Sequence, residues 1–278
     1  MMQPTRRAAV AGAAALGLAG AARAPARRIV SLNPCLDAIL LSVADPSQVA
    51  ALSHWSHEPM GSSAGPAAQR FPITYESAEE VIALSPDLVL ASRHSSLATR
   101  STLKRLHIAV ELFSTPNRIA ESLDQVRRIA ELCGHAERGE AEIARIDAAL
   151  SAAAPPPGAR PLRALVFQRN GLASGPDTLM DELLRRTGFR NAAVDYGARR
   201  STDISLDSVV ADPPDVLLSG ETQRGAPTWG ERVMKHPALQ HLHSRMRIVR
   251  FPERLMYCGG PNLVESATRL AKARREVA

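Results

Sequence analysis

Short apolar runs alternate with amphipathic stretches along most of the chain. Arg28-Ile29-Val30-Ser31-Leu32 reads as a strand, Asn33-Pro34 as its turn and Cys35–Val43 as an apolar helix. Val49–Leu52 is a second strand, running into the polar loop Ser53-His54-Trp55-Ser56-His57. Ser77 and Glu80 have the spacing of a capping box, which opens a short helix ending at Leu84. Asp87–Ala91 and Ile108–Phe113 are further strands, with a helix over Leu97–Leu106 between them. This βαβα order predicts a parallel sheet with helices on both faces.

Two long helical patterns follow. Ile119, Leu123, Val126, Ile129 and Leu132 mark one face of the first, and Ile143, Ile146 and Leu150 mark the second, over Glu137–Ala153. Pro155-Pro156-Pro157-Gly158 is a stiff break. A second α/β run begins after it, with strands at Ala164–Gln168, Asp215–Ser219 and Ile248–Phe251, and helices at Asp177–Thr187 and Asn262–Arg275. One segment occurs twice: Ser77–Leu90 is echoed at constant offset by Ser205–Leu218, with Ser, Val, Ala, Pro, Asp and Leu at matched places. Self-similarity at half the chain length predicts two lobes of one architecture. The expected organisation is an export signal over 1–26, an α/β lobe over 27–135, a linking helix over 136–154 and a second α/β lobe over 155–278, each lobe built on a mostly parallel sheet.

The start of the chain reads as an address. Arg6-Arg7 precedes an uninterrupted small or apolar run of 15 residues, Ala8–Ala22, and small residues at 22–26 suit a signal peptidase. Sec and twin-arginine export are both open. No later run approaches membrane-spanning length, so an exported protein in an oxidising compartment, the periplasm, is expected. The hydrophobic fraction of 45% and charged fraction of 22% exclude a disordered or fibrous chain. The formal charge of +6 shrinks when the leader arginines are set aside, and no basic run is interleaved with aromatics, so nucleic acid is not expected as a partner. With aromatics at only 4%, one in a loop carries more information than usual.

Taken together, Arg28–Asn33 with its following helix and Ala44-Asp45-Pro46, and above all Glu79–Val89, resemble the periplasmic substrate-binding proteins for iron chelates and vitamin B12. The likeness runs from residue 28 to 275. It implies two sheets joined by a long helix, here Glu137–Ala153, a ligand held between the lobes, delivery to an ABC importer permease and its ATPase, a monomer, and only slight closure. The ligand class it implies is a metal chelate, with ferric siderophore ahead of cobalamin and heme. No cofactor or resident metal is expected.

Loops leaving the carboxyl ends of parallel strands form binding crevices, so the candidate loops are those after Leu32, Leu52, Ala91, Phe167 and Pro252. Trp55 matches an aromatic that lines the site in the vitamin B12-binding branch, whereas Ser92 and Ser201 stand where that branch has tryptophans. Arg93, Arg169, Arg199 and Arg200 make the expected cleft basic, and guanidinium forks suit carboxylate, catecholate or citrate oxygens. Tyr257 lies in another candidate loop. Glu79 and Asp207 each occupy the third position of the repeated segment, and the resemblance assigns them to docking on permease arginines. His54, His57 and His94 leave open a direct metal-ion binder. An exported α/β hydrolase-like enzyme is the other alternative, but no nucleophile elbow, phosphate loop or His-Glu-x-x-His motif is present, and an enzyme is not expected. Cys35 and Cys258 fall in candidate loops of opposite lobes and can pair, touch ligand or serve as small turn residues; Cys133 reads as buried core.

Overall fold

The computed structural model describes residues 24–58, 63–168, 171–219, 237–240, 242 and 244–277. Most of the export signal, Arg169, Trp229, His241 and His243 lie outside the described residues.

The first half runs β1 (Ile29–Ser31), α1 (Pro34–Val43), β2 (Val49–Ser53), β3 (Ile73–Thr74), α2 (Ala78–Ala83), β4 (Leu88–Ser92), α3 (Leu97–Arg105) and β5 (Val110–Phe113). Its sheet has the order β3-β2-β1-β4-β5 and is parallel throughout. The central strands are buried on both faces, which is why they read as continuous apolar runs. Asn33 caps α1 by accepting from the amides of Cys35 and Leu36, and Pro34 opens its first turn.

After α4 (Ile119–Cys133) and α5 (Ala136–Ala152), the second half runs β6 (Leu162–Phe167), β7 (Leu172–Ala173), α6 (Leu179–Arg186), β8 (Phe189–Asn191), β9 (Thr202–Asp203), α7 (Leu206–Ala211), β10 (Val216–Ser219), α8 (Pro237–Gln240), β11 (Arg247–Arg250), α9 (Arg254–Tyr257) and α10 (Asn262–Arg275). Here the sheet order is β11-β10-β6-β7-β9, with β8 also on β6. β11, β10, β6 and β8 pair in parallel, while β7 pairs antiparallel with β6 and with β9.

The repeated segment folds alike in both lobes. Ser77 caps α2 and Ser205 caps α7, each by accepting the amide three residues on. The aspartate before the following strand also has the same task twice. Asp87 accepts the amides of Arg27 and Arg28 at the start of β1, and Asp215 accepts that of Arg163 in β6. The capping box forms only in half. Ser77 accepts from Glu80 N, but the Glu80 carboxylate turns to Thr74 Oγ1 (2.9 Å) and Tyr75 N (2.7 Å) instead of the cap amide.

The expected linking helix corresponds to α5, and α4 packs along it. Gly139 allows their close approach: a Cβ there would lie 2.6 Å from that of Ala130. α10 packs on α5 as well, and α4 is seamed to the second lobe by Ile119 N donating to Glu182 (2.9 Å) and Gly260 N donating to Ser122 Oγ (2.6 Å). One apolar core consequently runs through both lobes, from Ile29 and Leu40 through Val126 and Ile146 to Leu218 and Leu270. Among the described residues no helix is long and apolar enough to cross a membrane.

Candidate functional site

All five strands of the first sheet end on one edge, so the segments after Ser31, Ser53, Thr74, Ser92 and Phe113 share a rim. The turn His54–His57 leaves β2 there as a single 3-10 coil. It carries Trp55, 47% exposed. The His54 ring lies 4.5 Å from Trp55, tilted by 39°, and 5.0 Å from Tyr75, stacked within 22°. Tyr75 is 69% exposed and leaves the end of β3. Its backbone is fixed by the bond from Tyr75 N to Glu80. The result is a row of three rings, Trp55–His54–Tyr75, on the rim.

Beneath the row, Asp37 of α1 is fully buried. Its carboxylate accepts from Ser53 N (3.2 Å), Ser53 Oγ (2.5 Å) and Ser56 Oγ (2.5 Å). Burial pushes its pKa up to about 7, against the pull of hydrogen bonds from Ser31, Ser53 and Ser56. Beside the row, Glu76 takes a left-handed φ of +69° and its carboxylate sits 4.0 Å from His54 Nδ1. Burial raises its pKa, and the nearby imidazole opposes that shift. The backbone there is held by Glu76 N donating to Thr74 Oγ1 (3.0 Å) and Thr99 Oγ1 donating to Glu76 O (2.9 Å), bonds that offset the strained φ.

Across from this rim stands the loop after β11. Tyr257 ends α9, is 48% exposed and donates its hydroxyl to Glu253 (3.1 Å). The next residue, Cys258, forms a disulfide with Cys35 at the start of α1. Of the three alternatives open to these cysteines, pairing is the one realised. Gly259 follows; a Cβ on it would lie 2.1 Å from Ser122 Oγ, so the loop sits directly on α4. A pocket of about 780 Å³ opens beside these loops, lined by His57, Ser63 and Gln69 from the first half and Arg254, Asn262 and Glu265 from the second.

Arg93 is exposed in the rim segment after β4, its amide bonded to Phe113 O. Arg199 and Arg200 are exposed elsewhere: Arg200 O lies against Gly175, beyond the end of β7 away from the β6–β7 turn. Glu79 and Asp207 are exposed in the first turns of α2 and α7. The three histidines do not converge. His54 is in the ring row, His57 Nε2 bonds Ala68 O (3.1 Å), and His94 is exposed two residues past β4. Among the described residues no group of three metal-ligating side chains occurs. Sequence reasoning passed over Tyr75 and Asp37. The scarcity of aromatics was the available signal for the first; one acid in an otherwise apolar helix was the signal for the second.

Residues 29–244 match the family model described as periplasmic binding protein. No curated protein sequence matches the chain. The periplasmic heme-binding protein RhuT from Roseiflexus sp. RS-1 is similar in structure, with a TM-score of 0.72 at 23% identity over 89% of this chain and 98% of that one. The periplasmic heme-binding protein HutB of Vibrio cholerae has a TM-score of 0.72 at 18% identity, over 89% and 98%. The periplasmic vitamin B12-binding protein BtuF of Vibrio cholerae has 0.68 at 14% identity, over 91% and 98%. These likenesses are likenesses of fold.

Proposed function

The chain belongs to the periplasmic binding protein family, in the class that serves metal-chelate ABC importers, and from that premise we propose that its cargo is heme, captured between the lobes and handed to a permease. Proteins of this class bind and deliver; they are not enzymes. The observation that carries the heme reading is the ring row Trp55–His54–Tyr75. Two exposed aromatic faces at a rim suit a flat conjugated ligand, since ring stacking supplies wide contact at little entropic cost. Tyr75 adds a phenol oxygen, a donor type that holds heme iron. Arg93 on the same rim suits a propionate carboxylate, and we take Tyr257, exposed at the end of α9, as a contact from the second lobe. RhuT and HutB, heme-binding by name, support the same choice.

A ferric siderophore, first in line from the arginines alone, would draw on several guanidinium groups at one place. Arg93 lies on the rim that carries the rings, whereas Arg200 lies against Gly175 beyond β7, so we give the arginines less weight for that ligand than the rings for heme. We take Glu79 and Asp207 as the acids that dock on permease arginines, one per lobe, with the chain acting as a monomer. Hemin titration of the wild type and of Tyr75→Phe, read by visible absorption, tests the reading. A shifted Soret band lost in the variant is expected; no hemin binding by the wild type would overturn it.

A further inference from the structure

We propose that Asp37 is a positioning residue for ligand capture, holding from inside the core the turn that presents His54 and Trp55. The inference rests on the ring row being the capture surface. Asp37 accepts hydrogen bonds on both sides of that pair, from Ser53 before it and Ser56 after it, so the turn is pinned at two points. Tyr75 is anchored separately, through Glu80. His54 Nδ1 is buried without a hydrogen-bond partner, its Glu76 neighbour standing 4.0 Å away. A wholly buried carboxylate is costly, and among the described residues this one forms no ion pair. The groups facing it are Ser31 of β1, Ser53 of β2 and Ser56 of the turn. Three hydroxyl-bearing residues around one acid make a stronger grip when the acid is ionised than when it is neutral, because charged acceptors bind hydroxyls more tightly. The acid therefore loosens its hold as it takes up a proton, around pH 7. The titratable and charged groups of the turn and the adjoining rim are His54, His57 and Glu58, then Tyr75, Glu76 and Glu80 after β3, and Arg93 and His94 after β4.

The test uses the full mature chain carrying Trp229→Phe, so that Trp55 is the sole tryptophan. Trp55 emission and its quenching by acrylamide are followed without ligand across the neutral pH range, and hemin affinity is measured separately. A step near pH 7 is expected in the parent and in His54→Gln, and its loss in Asp37→Asn. Hemin affinity should fall about tenfold in Asp37→Asn, the scale of one charged hydrogen bond lost. Ser56→Ala, which spares the carboxylate, should raise acrylamide access to Trp55 and serves if Asp37→Asn fails to fold. An unchanged pH profile and unchanged quenching in these variants would overturn the positioning role, as would loss of the step in His54→Gln. Because the emission readout needs no ligand, it decides this point even if hemin proves not to bind.

Discussion

Cys35 and Cys258 are bonded, with Cα atoms 5.1 Å apart, so the first turn of α1 is tied to the last loop of the second lobe across 223 residues of sequence. Together with the Gly260–Ser122 bond and a core continuous through both lobes, the bridge fixes the two rims against one another.

Removing the bridge frees a long loop in the unfolded chain. The Cys35→Ser, Cys258→Ser double variant should lose up to about 5 kcal/mol of stability by the chain-entropy estimate. Denaturant unfolding with and without reductant measures this. Reductant should bring the wild type to the variant's midpoint and leave the variant unmoved.

Trp55→Ala should weaken hemin binding by about 1–3 kcal/mol, the usual contribution of one aromatic at a binding site. Its circular dichroism and melting midpoint should stay close to wild type, since the ring is 47% exposed and makes little core. Calorimetry reads the affinity; an unchanged value removes Trp55 from the site.

Glu79 and Asp207 stand exposed at the starts of matching helices, one in each lobe. Charge pairs across an interface chiefly set orientation and encounter. Glu79→Ala with Asp207→Ala should abolish most uptake through the cognate importer and leave ligand affinity within about twofold. Normal uptake by the double variant contradicts docking, and lost ligand binding places these acids in the cleft.

Asp37 gives a pH dependence of defined sign. The folded chain holds its proton up to about pH 7, whereas the ordinary value is 3.8, so folding takes up a proton between these limits. The site's contribution to stability is greatest below pH 3.8, declines as pH rises towards 7, and is level above. Ionisation thus costs global stability while tightening the turn. Asp37→Asn removes the decline, so its unfolding midpoint relative to wild type should rise from pH 5 to pH 8. A constant or falling difference contradicts the assignment.

The lobes were legible because parallel strands buried on both faces leave plain apolar runs, such as Leu88-Val89-Leu90, and because Ser77–Leu90 recurs at Ser205–Leu218. Strands β3, β7, β8 and β9 were missed: two or three residues each are too short to show a period, and their places are set by neighbours in the sheet. The Cys35–Cys258 pairing depends on how the lobes meet, which local pattern does not encode. Trp55 stood out as a loop aromatic, but the row it forms with Tyr75 needs β2 and β3 to be adjacent.

In the proposed function the rim rings bind heme through Tyr75. The most direct measurement is a hemin titration of the mature protein by visible absorption, beside ferric siderophore and cobalamin, repeated with Tyr75→Phe. Saturable one-to-one hemin binding is expected, with a Soret shift that Tyr75→Phe loses, and no comparable affinity for the other two chelates. Tight binding of siderophore or cobalamin with none of hemin would contradict it.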